Sequence, residues 1–321
     1  MTDPFSELLT FMQARSVMSG GLVAGGRWAI AFPPATQLKF WGVLRGTCWL
    51  KIKGESTPIA VNEGDVFLLS AERPHVMASD LSATPVDLQQ ILDKRVGALA
   101  YHGDGDEFFM IGGKVELSPD SEHLLRAALA PFIHLNARTH ALETLHWLLN
   151  QLVREREHDR PGAAVASSQL AHLMFIEILR LHFETAPPLS GSWLRAMTDK
   201  RLAPALRLIH GEPGETRPLE VLAKACAMSR ASFAAYFKDV AGVSPMAYLT
   251  QWRMRLAARA LAEGKRSLIE LALSLGYNSQ SAFSHAFKRE IGRSPLHYQQ
   301  ALRVSTEAQY PQTNAWSSEL S

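Results

Sequence analysis

Two stretches decide the fold of the last third of this chain: residues 229–261, SRASFAAYFKDVAGVSPMAYLTQWRMRLAARAL, and residues 267–298, SLIELALSLGYNSQSAFSHAFKREIGRSPLHY. At an offset of 50, Phe233, Phe237, Lys238, Gly242, Ser244, Pro245 and Tyr248 fall on Phe283, Phe287, Lys288, Gly292, Ser294, Pro295 and Tyr298. Average composition would give roughly one or two such identities over this window. Upstream the offset drops to 49, with Leu219, Leu222 and Ala223 on Leu268, Leu271 and Ala272, so one extra residue lies in the second copy's turn.

Both copies share one grammar. A short helix leads to a small turn (Cys226-Ala227-Met228; Leu275-Gly276-Tyr277), then to a second helix opened by Ser229 or Asn278, then to Gly-x-Ser-Pro. Ser and Asn are good N-caps, and so short a turn makes the two helices cross steeply over a shared Leu, Ala and Phe core. That is a helix-turn-helix, whose second helix enters the major groove of DNA. Between the copies a helix starts at Ser244-Pro245, runs through Leu261 and stops before Gly264. Its length of about 17 residues, or roughly 26 Å, suits a strut between reading heads in successive major grooves.

Charge divides the chain in the same place. Residues 1–191 carry 16 Lys and Arg against 21 Asp and Glu, residues 192–303 carry 17 against 8, and the tail adds two acids. A basic last third points to a polyanion partner. The length of 321 residues predicts two domains, and 47% hydrophobic with 20% charged residues is ordinary for a globular protein without a membrane span. MTDPFSELLT is not a secretory signal, and Cys48 and Cys226 alone make neither a disulfide framework nor a zinc cluster, which fits a reducing cytoplasm.

The front reads as strands broken by turns: RWAIAF (27–32), KFWGVLRGTCWLKIKG (39–54) and TPIAVNEGDVFLLS (57–70), with weaker runs at Asp87–Val96 and Phe108–Val115. These predict an all-β sandwich or barrel. Helical spacing follows over Glu122–Leu135, Thr139–Arg156 and Ala163–Phe183. The apolar faces there, including Leu173, Phe175, Ile176 and Leu179, must cover the strands or a second copy of the chain.

The paired stretches resemble the DNA-binding domain of AraC/XylS transcription regulators over about 100 residues. NEGDVFLLS, the RGTCWLKIKG hairpin and Pro161-Gly162-Ala163-Ala164 resemble the cupin-type sensor domains of one branch of that family. The resemblance implies an α+β multidomain chain: a cupin-like effector-sensing β-barrel over 1–120 and a helical dimerisation or packing region over 121–184. A linker over 185–198 then leads to a DNA-binding domain over 199–303, with helix-turn-helix motifs near 219–238 and 268–289 and a tail at 304–321. It further implies double-stranded DNA, RNA polymerase, a homodimeric partner and a small-molecule effector as partners, with activation of transcription in the cytoplasm.

In the second copy Phe283 and Phe287 must face inward, leaving Ser279, Gln280, Ser281, Ser284 and His285 outward to meet base edges. The family's base contacts fall on Gln280, Ser281, Ala282, Ser284 and His285. The equivalent set in the first copy is Arg230, Ala231, Ala234 and Ala235, which leaves Arg230 as its main polar reader. Lys238, Arg253, Arg255, Lys288, Arg289 and Arg293 lie at helix ends or on the strut, where phosphates would run.

Cupin enzymes hold a metal with a His-x-His set and a later His. Here only Gly64-Asp65 and His75 remain, so no catalytic residue, metal or cofactor is expected. His123, His134, His140 and His146 lack ligand spacing and read as structural. Trp28, Phe32, Phe40, Trp41, Trp49 and His75 are candidates for an effector pocket in the barrel. The rival reading, a cupin-type metal-dependent enzyme or metal-binding protein with an accessory DNA module, would require stoichiometric metal in the purified protein.

Overall fold

The computed structural model describes residues 3–301 apart from 71, 118–121, 123–124, 127, 138–141, 158–159, 186–191 and 265. The expected tail at 304–321, most of the expected break after Thr185, and His123 and His140 lie outside the described residues. The chain divides into two compact units, Leu8–Pro187 and Pro188–Ser321, the second including Met1–Glu7.

After a short helix, α1 (Pro4–Met12), the first unit folds into two sheets. One is ordered β11-β6-β3-β10-β1-β9 and the other β5-β4-β7-β2-β8. The strands are β1 (Arg15–Ala24), β2 (Ala29–Phe32), β3 (Leu38–Arg45), β4 (Cys48–Ile52), β5 (Ile59–Val61), β6 (Val66–Leu69), β7 (His75–Ala78), β8 (Val86–Asp87), β9 (Leu99–His102), β10 (Phe108–Glu116) and β11 (Phe132–Leu135). No ladder joins the two sheets among the described residues, so the closed barrel gives way to the sandwich form. Side chains alternate across a strand. Leu22, Trp28, Ile30, Phe32, Trp41, Val43, Leu50, Phe67, Met77 and Met110 accordingly point into the interior between the sheets.

Two expectations for this unit fail for local reasons. Of the run Asp87–Val96, residues Leu88–Leu92 form a helix, α2, because the Asp87 carboxylate caps it by accepting from Gln89 N. Within the helical segment expected over Glu122–Leu135, Phe132–Leu135 instead forms β11 after Pro131 and pairs with β6. Helices α3 (Glu143–Glu157) and α4 (Ala163–Thr185) agree with their spacing and cover the outer face of the six-stranded sheet. By length and composition α4 could cross a membrane. Here Met174, Phe175, Ile178 and Leu179 are buried within the unit.

The Gly64-Asp65 turn fastens this arrangement. The fully buried Asp65 carboxylate accepts from Asn62 N at 2.9 Å, Ala137 N at 2.8 Å and His134 Nε2 at 2.9 Å. His146 Nε2 donates to the Gly64 carbonyl at 2.8 Å. Both histidines are thus engaged in structural hydrogen bonds.

The second unit is helical: α5 (Trp193–Thr198), α6 (Ala203–Gly211), α7 (Leu219–Ala225), α8 (Arg230–Ala241), α9 (Pro245–Glu263), α10 (Leu268–Ser274) and α11 (Gln280–Ile291), with helix resuming over 295–301. α5 occupies the last six residues of the expected linker. Four residues separate α7 from α8 and five separate α10 from α11, so the extra residue lies in the second turn as the offset predicts. Met254, Ala257, Leu261, Leu271, Phe283, Phe287 and Tyr298 share one core, while Phe233 packs edge-on to Phe237 and Phe237 to Tyr248 in the other.

Candidate functional site

α8 and α11 are built alike. Ser229 Oγ accepts from Ser232 N and Ser279 Oγ from Ala282 N, and both helices end at left-handed Gly242 and Gly292. The cap of α11 is therefore Ser279 rather than Asn278, and its hydroxyl is already engaged by the backbone. Phe233 and Phe237 on α8, and Phe283 and Phe287 on α11, are buried, which fixes which faces look outward.

On α11, Gln280, Ser281, Ala282 and His285 are exposed and Ser284 is half-buried. On α8, Arg230, Ala231 and Ala235 are exposed and Ala234 is half-buried. Arg230 pairs with Glu220 of α7 at 3.0 Å, both side chains lying well in solvent. The two heads differ in chemistry: α11 offers an amide, hydroxyls and an imidazole, whereas α8 offers one guanidinium among methyl groups.

Among the expected phosphate contacts, Lys238, Lys288, Arg289 and Arg293 are exposed, and Arg289 pairs with its neighbour Glu290 at 3.1 Å. Arg253 is different. It is only 7% exposed, and its guanidinium donates to the carbonyls of Pro213 at 2.6 Å and Gly214 at 3.2 Å and to Thr216 Oγ1 at 3.0 Å. It also lies 5.7 Å from the centre of the Tyr277 ring. Its donors tie the strut to the 213–216 loop, so the phosphate role expected for Arg253 is withdrawn. Arg255, half-buried, lies 4.9 Å over the Trp193 ring and is likewise turned into the unit.

Sequence reasoning passed over His210, on α6. It is buried, stacks on Trp252 at 4.2 Å, and shares a hydrogen bond with the Tyr248 hydroxyl at 3.1 Å. Burial, with a smaller push from the Arg255 charge, lowers its pKa to about 3. An isolated His in a Leu-rich helix carries no sequence signal for such packing.

The expected effector residues separate into two groups. Trp28, which packs on Phe108 at 5.1 Å, and Phe32, Trp41 and His75 face the space between the sheets. Phe40 and Trp49 do not. Phe40 shares the face of Gly42, whose missing side chain admits Leu149 of α3, and Trp49 is 42% exposed on β4 while Cys48, Leu50 and Ile52 point inward. Strand parity, which moves every side chain to the opposite face with each step, removes both from the interior.

His75 lies flat on Phe32, with centroids 4.8 Å apart and planes 10° apart, and Phe32 meets Trp41 edge-on at 6.2 Å. Burial lowers the His75 pKa to about 4, slightly opposed by the Arg73 backbone and helped by the Lys39 charge, so the ring is neutral near pH 7. Burial raises the Cys48 thiol to about 12, with a contribution from Asp65, which makes it unreactive. Among the described residues, no group of three or more His, Cys, Asp or Glu side chains is arranged to hold a metal.

A family model described as Cupin matches residues 3–184, and one described as Helix-turn-helix domain matches residues 222–301. An AraC-like transcription regulator of Streptomyces antibioticus is 40% identical over 296 residues, 92% of this chain and 98% of that protein. The HTH-type transcriptional regulator AlkR of Acinetobacter baylyi is 30% identical over 86% of this chain and 92% of its own length. Among solved structures, the DNA-binding domain of AdpA, in complex with a target DNA, is 29% identical, covering 36% of this chain and 99% of that one with a TM-score of 0.31.

Proposed function

This chain belongs to the AraC-like transcription regulators, and on that premise we propose that α8 and α11 read DNA sequence while the two-sheet unit senses a small organic effector. The observation that carries the DNA reading is the pair of serine-capped helices with buried Phe pairs and outward Arg230 on one and Gln280, Ser284 and His285 on the other. Exposed Lys238, Lys288, Arg289 and Arg293 supply phosphate contacts.

The protein acts in the cytoplasm as a homodimer that recruits RNA polymerase. Leu173 is 50% exposed on α4, and Trp147 on α3 and Val165 near the start of α4 are exposed too, which supports self-association through the outer faces of these helices. Phe175 and Leu179 serve the unit's own core. We read the front as a sensor because, among the described residues, its interior presents one imidazole, His75, too few ligands for a catalytic metal. Genome-wide mapping of bound DNA, followed by gel-shift titration of one recovered site, tests the reading. Binding without a shared sequence in the recovered sites overturns it.

A further inference from the structure

Between the two sheets, two buried side chains lack hydrogen-bond partners among the described residues. His75 is 4% exposed with no hydrogen bond of normal geometry to either ring nitrogen, though the Arg73 backbone is close enough to favour its protonated form slightly, and Trp41, 9% exposed, has an unpaired indole N–H. Stacking on Phe32 uses only the face of the imidazole, so both nitrogens remain at its edge for in-plane partners. The Trp41 ring cannot turn away, because it lies across Gly112 of β10 so closely that a Cβ there would stand 2.0 Å from it. A buried donor without a partner forfeits the hydrogen bond it makes to water when exposed, so it calls for an explanation.

Charge at the same end of the sandwich supplies one. Lys39 is two residues before Trp41 on β3 and so shares its inward face, and in register it sits directly opposite Lys114 of β10. Like charges facing each other across strands are unfavourable. Lys114 has Glu116 at 2.8 Å, whereas Lys39, half-buried, has no carboxylate partner among the described residues. Burial and Lys114 both lower the Lys39 pKa, and its charge reaches His75. Among the described residues the buried carboxylate of this unit is Asp65, which lies beside Val43, four positions along β3 from Lys39, and is engaged by Asn62, Ala137 and His134. This end of the interior is thus rich in donors, carries a spare positive charge and is walled by aromatic rings.

We infer that the space bounded by Lys39, Trp41, His75 and Phe32 binds an organic monocarboxylate with an apolar body. The carboxylate accepts from the Lys39 ammonium, the Trp41 indole N–H and the N–H of neutral His75, while its apolar body lies against Phe32 and the inner faces of the sheets. The inference rests on the sensor reading above and narrows its ligand to one chemical class. A sugar would ask for several buried acceptors, which this end of the interior lacks among the described residues, and a neutral alcohol would leave Lys39 uncompensated.

Calorimetric titration of the full-length protein tests this with matched acid–alcohol probes: phenylacetate with 2-phenylethanol, 4-phenylbutyrate with 4-phenylbutan-1-ol, and hexanoate with hexan-1-ol. At least one acid should bind at millimolar concentration or below, about tenfold or more tighter than its alcohol, as a charge-assisted hydrogen bond would give. Lys39→Met should erase that preference and Lys39→Arg keep most of it, while Trp41→Phe, which keeps the ring, should weaken the acid by a similar factor. Circular dichroism and DNA binding of each variant control for folding. Failure of every acid to bind, equal binding of acid and alcohol, or an unchanged preference in Lys39→Met overturns the inference. Intact operator binding without acid binding would sink this inference and leave the regulator reading in place. Acid binding that never alters operator affinity would keep the site and remove its role as effector sensor.

Discussion

Ser229 and Ser279, fifty residues apart, make the same bond: each hydroxyl accepts the amide of the residue three positions on, Ser232 and Ala282, at 3.2 Å. The two reading helices therefore begin in the same way even though the turns before them differ by one residue. Ser229→Ala and Ser279→Ala should each cost about 1 kcal/mol of stability in urea unfolding of residues 188–303 and weaken DNA binding, and Ser→Asp should restore most of the stability. Unchanged unfolding midpoints for both alanine variants would contradict the capping assignment.

The turns themselves yield a second expectation. Ala227 holds φ at +53° where the second copy places Gly276 at +76°. A left-handed alanine is strained by roughly 1 kcal/mol, so Ala227→Gly should stabilise the unit by up to that amount, reduced by the flexibility glycine adds to the unfolded chain. The reverse change should be severe, because a Cβ on Gly276 would stand 2.1 Å from the Gly214 carbonyl beside Arg253. Thermal unfolding of Ala227→Gly and Gly276→Ala checks both signs, and a loss of stability in the first would refute the strain argument.

What the sequence reveals here follows from how each feature is encoded. The repeat fixes spacing, and spacing fixes which face of α8 and α11 holds the Phe pairs, so the outward residues are legible from the order of residues alone. The front is harder, because alternation shows that a strand exists but not which face is the interior. Phe40 and Trp41 are adjacent and equally aromatic, and only Leu149 filling the space over Gly42 reveals that Phe40 points outward. Arg253 reads as a phosphate contact until Pro213, Gly214 and Thr216, about forty residues earlier in the chain, take its donors. Such long-range pairings leave no local trace.

His210 makes the second unit sensitive to acid. Its pKa is lowered to about 3 by burial, so below its ordinary value of 6.5 the unfolded chain binds a proton that the folded one refuses. Stability from this group is complete above pH 6.5. It falls by about 1.4 kcal/mol per pH unit as pH drops from there towards 3. Urea unfolding of the second unit, followed in the full-length protein at a series of pH values, should show this slope, and His210→Phe should be less stable at pH 7, having lost its hydrogen bonds to Tyr248 and Glu7, yet flatter across the window. An equal slope in the variant would assign the acid sensitivity elsewhere.

The two reading heads should contribute unequally to specificity. α11 exposes Gln280 and His285 with Ser284 beside them, whereas α8 exposes Arg230 among Ala231, Ala234 and Ala235, of which Ala234 is half-buried. Gln280→Ala or His285→Ala should cost about 1–3 kcal/mol on the preferred site and relax the preference in that half-site. Lys238→Ala should weaken all sequences alike. With Arg253 and Arg255 turned inward, the four exposed members of the expected phosphate set, Lys238, Lys288, Arg289 and Arg293, predict a slope of log K against log salt of about −4 per chain. Arg253→Ala should reduce stability while leaving that slope unchanged, because no phosphate is lost with it. Arg230 is the test of the first head. Glu220 holds its guanidinium at 3.0 Å in the free protein, so if Arg230 reads a guanine it must exchange that partner for the base. Arg230→Ala would then change the preferred sequence, whereas an Arg230 that only met phosphate would lower the salt slope by about one. Selection from a randomised duplex library reports all of these variants together. Equal information in both half-sites for the native protein, with no loss of preference in Gln280→Ala and His285→Ala, would overturn the assignment of the heads.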